Sequence, residues 1–233
     1  IDTAQMYGNE EEVGQGIRDS GVARSQIFLT TKIDRDRHGR AALIRAAEES
    51  LERLGFDYVD LLLLHWPSSE VPLKETIPAL AEIRRRGLAR HIGVSNFTIR
   101  LLDEAVALSD EPIAVNQFEY HPFLDQSRLV AACRRHGVAV TAYSPIARGH
   151  VAQSAPLAEI GKAHGKTAAQ VTLRWLIQQD GVIAIPRSQN PERIRENFAV
   201  QDFELSHVEM QRIGGLARTD GRLVQRSGQP AWD

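Results

Sequence analysis

Short, nearly unbroken apolar runs alternate along the chain with longer stretches whose apolar positions recur at helical spacing. The runs are 26–32 (QIFLTTK), 58–66 (YVDLLLLHW), 90–96 (RHIGVSN), 112–117 (PIAVNQ), 138–144 (VAVTAYS) and 181–186 (GVIAIP). The opening IDTA reads as the last piece of one more. Between them the helical patterns are EEEVGQGIRDS, RAALIRAAEESLERLG, LKETIPALAEIRRRG, TIRLLDEAVALS, QSRLVAACRRHG, PLAEIGKAHG, TAAQVTLRWLIQQDG and PERIRENF. Several close on Gly, as helix C-termini do.

Apolar runs without alternation mark parallel strands covered on both faces. Strand then helix, repeated with short connections, predicts an α/β fold with right-handed crossovers. The polar residues that close the runs are Asp2, Lys32, His65, Asn96, Gln117, Ser144 and Arg187, spaced by 21 to 43 residues. That spacing suits successive βα units. Seven runs are visible, where a closed (β/α)8 TIM barrel has eight strands. The expectation is one domain over 1–233, a (β/α)8 TIM barrel whose first strand and helix lie outside this sequence. The alternative is an open doubly wound sheet, but its Gly-rich phosphate loop, G-x-G-x-x-G, occurs nowhere in the chain.

Composition changes this picture little. The 233 residues are 42% hydrophobic and 25% charged, with a formal net charge of -2, which gives no reason to expect a nucleic-acid or membrane partner. The densest basic stretch, IRRRGLAR, ends a helical pattern, where Arg favours the C-terminal dipole. The single cysteine, Cys133, sits in a helical pattern. It reads as a small core residue in a protein of a reducing compartment. No apolar run reaches the length of a membrane span and no signal-peptide pattern opens the chain. A cytoplasmic protein is expected.

In a parallel barrel, chemistry collects at the C-terminal ends of the strands. Asp2, Lys32 and His65 stand at three such ends, and Tyr7 follows the first. A phenol is a weak acid at neutral pH; an adjacent ammonium favours the phenolate. A carboxylate keeps that ammonium charged and oriented, and an imidazole can donate a hydrogen bond to a carbonyl oxygen. The set suits proton delivery to a carbonyl. A reduction also needs a hydride, which no side chain supplies, so a nicotinamide cofactor is implied. The histidines show no metal-ligand spacing, and no metal is expected.

The stretch DTAQMYGNEEEVG resembles the signature D-T-A-x-x-Y-x-N-E-x-x-V-G of the aldo-keto reductases. LTTK, DLLLLHWP, IGVSNF, NQFEYHP, AYSP and IPRSQNPERIRENF follow in that family's order. The chain is most similar to the bacterial 2,5-diketo-D-gluconate reductase branch. The resemblance implies a barrel that binds NADPH without a Rossmann motif, and about 30–40 further residues before Ile1. It implies Tyr7 as general acid, Lys32 and Asp2 as its modulators, and His65 as the group that orients substrate. It places Ser95, Asn96 and Gln117 at the nicotinamide carboxamide and Tyr143 on its ring. Ser144, Pro145 and Ile146, in the stretch to Gly149, would run along the pyrophosphate. Trp66 would line the substrate pocket.

The residues near 190 add an argument of their own. Asn190 followed by Pro191 reads as a helix start, and helix N-termini attract anions. Arg187 and Arg193 supply guanidiniums and Ser188 a hydroxyl, a seat for a 2′-phosphate that favours NADPH over NADH. Glu196 and Asn197 lie on the Arg193 face of the helix, within reach of an adenine. Short connecting loops imply an open pocket and small carbonyl substrates: aldehydes, 2-oxoaldehydes or keto-sugar acids. The expected protein is a monomeric NADPH-dependent carbonyl reductase. The other reading is an NADPH-binding regulatory or structural barrel subunit with little turnover.

Overall fold

The computed structural model describes residues 1–233. Six parallel strands alternate with helices: β1 Thr30–Ile33, β2 Val59–Leu64, β3 Ala89–Ser95, β4 Ile113–Glu119, β5 Ala139–Tyr143 and β6 Val182–Ala184. Their order in the sheet is their order in the sequence. The helices are α1 Glu10–Asp19, α2 Arg40–Leu54, α3 Leu73–Arg85, α4 Ile99–Leu108, α5 Ser127–Arg135, α6 Ala155–His164, α7 Ala168–Ile177, α8 Pro191–Phe198 and α9 His207–Gly214.

The chain divides into two compact units. The first holds residues 1–116, 136–138 and 228–233, and the second holds 117–135 and 139–227. In the first, every residue of β1 and β2 is buried, as apolar runs covered on both faces require. Lys32 pairs with Leu63, and Leu63 in turn with Gly93 of β3. A Cβ on Gly93 would lie 2.5 Å from the Val115 carbonyl oxygen, so only glycine lets β4 come this close. Gly14 does the same between helices, where a Cβ would lie 2.0 Å from the Leu54 carbonyl oxygen.

Two features differ from the sequence expectation. The opening IDTA makes no full strand: Asp2 forms one isolated parallel bridge to Thr30. Two backbone bonds hold it, Thr30 N to the Ile1 oxygen and Thr3 N to the Thr30 oxygen, each 2.9 Å. Three residues carry no more ladder than that. The ninth helix, α9, escaped the reading by apolar pattern. Its signal is a capping box, in which Ser206 accepts from Glu209 N and the Glu209 side chain accepts from Ser206 N.

Within the first unit the basic stretch that closes α3 is engaged in ion pairs. Arg84 meets Glu111, Arg85 meets Asp110 at 2.7 Å and Arg86 meets Glu82. Within the second, Cys133 is fully buried on α5. No helix is long and apolar enough to cross a membrane.

Candidate active site

Lys32 is among the largest fully buried side chains of the molecule. A buried ammonium needs partners for its three donors, and the opening residues of the chain supply them. Lys32 Nζ donates to Asp2 Oδ1, to the Thr3 carbonyl oxygen at 2.9 Å and to Tyr7 Oη at 3.5 Å. The bridge between Asp2 and Thr30 fixes the carboxylate beside the strand that carries the lysine. Tyr7 sits in a 3₁₀ turn, Gln5–Tyr7, closed by Gly8 in the left-handed region at φ 63°. The adjacent Thr3 side chain donates to Asn9 Oδ1 at 2.8 Å, which ties the turn to the start of α1.

His65 follows β2 directly and is 5% exposed. Its ring meets the Tyr7 ring edge-on, centroids 5.7 Å apart and planes at 87°. The half-exposed Tyr7 is therefore held between a buried ammonium and a buried imidazole. The structure thus brings Asp2, Tyr7, Lys32 and His65 together from three separate stretches. Asn96, left-handed at φ 63°, donates Nδ2 to the His65 carbonyl oxygen and to Ser95 Oγ, both at 3.0 Å. Ser95 and Asn96 are both buried at the end of β3. Trp66 is buried and meets Trp232 edge-on at 6.3 Å. The terminus that carries Trp232 is pinned where Asp233 Oδ2 accepts from Ile99 N at 2.6 Å.

In the second unit Gln117 is buried within β4, and Tyr143 closes β5. The turn that follows is unusual. Ser144, Ala147 and Arg148 all have positive φ without being glycine, and Gly149 follows at 94°. Pro145 and Ile146 lie inside this turn, closed by Ala147 N to the Ser144 oxygen and Gly149 N to the Ile146 oxygen, each 2.8 Å. Consecutive turns of this kind gather amide N–H groups into concavities that favour anions. Beyond β6, Asn190 caps α8, its Oδ1 accepting from Glu192 N at 2.8 Å and Arg193 N at 3.1 Å. Ser188 Oγ accepts from Asn190 N at 3.1 Å. Arg187, Arg193 and Glu196 are exposed, Asn197 is half-buried, and no carboxylate pairs with either arginine. The second unit thus carries a left-handed turn after β5 and exposed guanidiniums around the start of α8. An apolar cleft of about 590 Å³ lies beside α8, lined by Leu173, Ile177, Ile194, Phe198 and Val200. None of the four tetrad residues lines it.

A family model described as the aldo/keto reductase family matches residues 1–218. The chain belongs to the aldo/keto reductase family. The glyoxal reductase of Bacillus subtilis is 42% identical over 220 residues, covering 94% of this chain and 79% of its own. A solved structure provisionally assigned as a 2,5-diketo-D-gluconic acid reductase B superposes with a TM-score of 0.98 at 51% identity. That match covers 100% of this chain and 83% of the other. The Bombyx mori aldo-keto reductase, solved in complex with NADP, superposes at 0.90 with 36% identity, covering 97% of this chain and 80% of its own. This aldo/keto reductase is accordingly an NAD(P)H-dependent oxidoreductase of carbonyl compounds with the α/β fold of TIM-barrel type.

Two residues near the tetrad were not singled out in the sequence. Asp34 follows β1, and its Oδ1 lies 3.4 Å from His65 Nδ1. His38, fully buried, accepts from Thr76 Oγ1 through its carbonyl oxygen at 3.2 Å. Burial pushes the His38 imidazole down to about 4, against weaker opposing pulls from the Ile33 carbonyl, Asp34 and Asp36. The signal for Asp34 was positional: it lies two residues beyond Lys32, still at a strand end. His38 left none, because a histidine in a polar loop reads as solvated.

Proposed function

We propose that this aldo/keto reductase reduces small carbonyl compounds with NADPH, with Tyr7 as the general acid. The observation that carries the reading is the buried Lys32 ammonium shared between Asp2 and the phenol of Tyr7. The reduced nicotinamide, when bound, supplies the hydride that no side chain can. Tyr7 gives its proton to the carbonyl oxygen of the substrate. Lys32 steadies the negative charge left on the phenolic oxygen, and Asp2 holds Lys32 charged and aimed. His65 donates a hydrogen bond that orients the carbonyl. Trp66 contributes the apolar wall beside it.

In the first unit, Ser95 and Asn96 are assigned to the nicotinamide carboxamide. In the second, Gln117 is assigned to the carboxamide and Tyr143 to the nicotinamide ring. Ser144, Pro145 and Ile146 serve the pyrophosphate; Arg187, Ser188 and Arg193 the 2′-phosphate; Glu196 and Asn197 the adenine. The left-handed turn after β5 and the unpaired arginines around α8 support these assignments. The substrates favoured are aldehydes, 2-oxoaldehydes and keto-sugar acids such as 2,5-diketo-D-gluconate, in keeping with the relatives' names. A cytoplasmic monomer completes the reading.

The test is Tyr7→Phe. This variant keeps the ring, its edge contact with His65 and NADPH binding measured by nicotinamide fluorescence. It loses about 10²- to 10⁴-fold in kcat for methylglyoxal, the range of a lost general acid. Unchanged turnover refutes Tyr7 as the acid, and slow turnover in the unaltered chain restores the regulatory-subunit reading.

A further inference from the structure

Three glutamates open α1: Glu10, Glu11 and Glu12. Acidic residues in a first turn favour the helix dipole, and Glu11 and Glu12 do so from the surface. Glu10 differs, for it is only 2% exposed. A buried carboxylate costs stability unless its oxygens are bonded, and both of these are. Oε1 accepts from Thr31 Oγ1 at 2.5 Å, and Oε2 accepts from Arg53 Nε at 2.8 Å. Arg53, on α2, also brings the compensating charge, its Nη2 lying 2.7 Å from Oε2.

Both partners lead back to Tyr7. Thr31 immediately precedes Lys32 on β1, and neighbours on a strand point to opposite faces. The strand thus gives its lysine to Asp2 and Tyr7 on one face and its threonine to Glu10 on the other. Arg53 Nη2 donates to Ser50 Oγ at 3.3 Å, and the same oxygen accepts from Gln5 Nε2 at 2.9 Å. Gln5 stands two residues before Tyr7, and Glu10 three after it. One chain of hydrogen bonds, Gln5–Ser50–Arg53–Glu10–Thr31, therefore holds the phenol-bearing turn at both ends and finishes beside Lys32. A side chain 49% exposed, as Tyr7 is, is not fixed by packing alone, so the backbone that carries it must be.

We propose that Glu10 is a positioning residue for the reduction. Through Thr31 and Arg53 it fixes the Tyr7 turn against β1 and so holds Tyr7 Oη within reach of Lys32 Nζ, 3.5 Å away. It acts through Tyr7 and takes no part in the chemistry. The kinetic consequence rests on the reductase reading; the placement of Tyr7 does not.

The test joins a spectrum to a mutant cycle. Tyrosine is labelled with ¹³C in the full chain, and the Tyr7 ring signals are assigned by their loss in Tyr7→Phe. Glu10→Gln turns the acceptor that faces Arg53 into a donor at nearly constant shape, and Thr31→Val removes the hydroxyl. In both variants the Tyr7 signals, displaced by the His65 ring in the unaltered chain, move towards those of an exposed tyrosine, while those of Tyr58 and Tyr120 stay. In both, kcat for methylglyoxal falls about tenfold, as a misplaced acid requires, with its KM and the NADPH affinity held within about twofold. Thr31→Ser keeps the hydroxyl and restores signals and rate. In the Tyr7→Phe background the same substitutions cost less than about twofold in residual turnover, because the group they position is already gone. Unmoved Tyr7 signals overturn the proposal. So does an equal loss in the two backgrounds, or an unchanged kcat where Tyr7→Phe has lost its own. If Glu10→Gln does not fold, Thr31→Val and Thr31→Ser decide. A failure of the reductase reading is seen separately, as full turnover in Tyr7→Phe with the Tyr7 signals still displaced by Glu10→Gln.

Discussion

Lys32→Met removes one charge from the centre of the site while nearly conserving volume and packing. Two separate magnitudes follow from the structure. The first is catalytic. Lys32 Nζ stands 3.5 Å from Tyr7 Oη. A unit charge at that distance steadies a phenolate by ~5 kcal/mol at an effective dielectric of about 20, and ~2 kcal/mol at about 40. Tyr7 is 49% exposed, so water screens the pair and the lower figure applies. The expected loss in kcat is then about 10²-fold. The second is structural. Breaking a buried ion pair costs about 3–5 kcal/mol. Asp2 keeps 15% of its side chain exposed, which places this variant at the lower end of that range. Both are measurable on one preparation: kcat from nicotinamide absorbance with methylglyoxal, and stability from urea unfolding. The two readouts part company if the reasoning is wrong. A folded Lys32→Met variant that turns over within about threefold of the unaltered chain refutes the electrostatic role of Lys32.

Two predictions concern other parts of the molecule. His38 is held neutral by burial, its folded value near 4 lying below the usual 6.5. Below 6.5 the unfolded chain binds a proton that the folded chain refuses. Stability is therefore full above pH 6.5 and falls by up to ~3 kcal/mol as pH drops to about 4. Urea unfolding across that range shows the loss, and His38→Met removes this component; an unchanged pH dependence in the variant counts against the burial argument. Arg193 has no carboxylate partner at the start of α8. Arg193→Ala raises the KM for NADPH by about tenfold, the worth of one charge-assisted hydrogen bond, and leaves that for NADH within about twofold. Equal effects on both cofactors remove the 2′-phosphate assignment.

Much of the chain could be read without its structure, for a physical reason. Strands buried on both faces must be apolar at every position, so Val59–Leu64 announces itself in one dimension. Helices announce themselves by caps, as Asn190 and Pro191 do for α8. Ionisable residues at the ends of apolar runs break that rule visibly, which is why Asp2, Lys32 and His65 stood out. The weak signals were those of length and of local polarity. Three opening residues make a bridge rather than a strand, and α9 carries its start in a side-chain capping pattern rather than in its apolar spacing.

The sequence alone determined the order of strands and helices, the strand ends at which the chemistry gathers, and the family. Those depend on periodicity and residue type, which are local properties. Only the tertiary structure decided which neighbours each reactive group has. Lys32 is fully buried between Asp2 and Tyr7, His38 is enclosed, and Asp34 faces His65 rather than solvent alone. Burial and distance are set by how strands distant in sequence pair and which residues their register brings level. The strength of a charge inside a protein depends on just those two quantities.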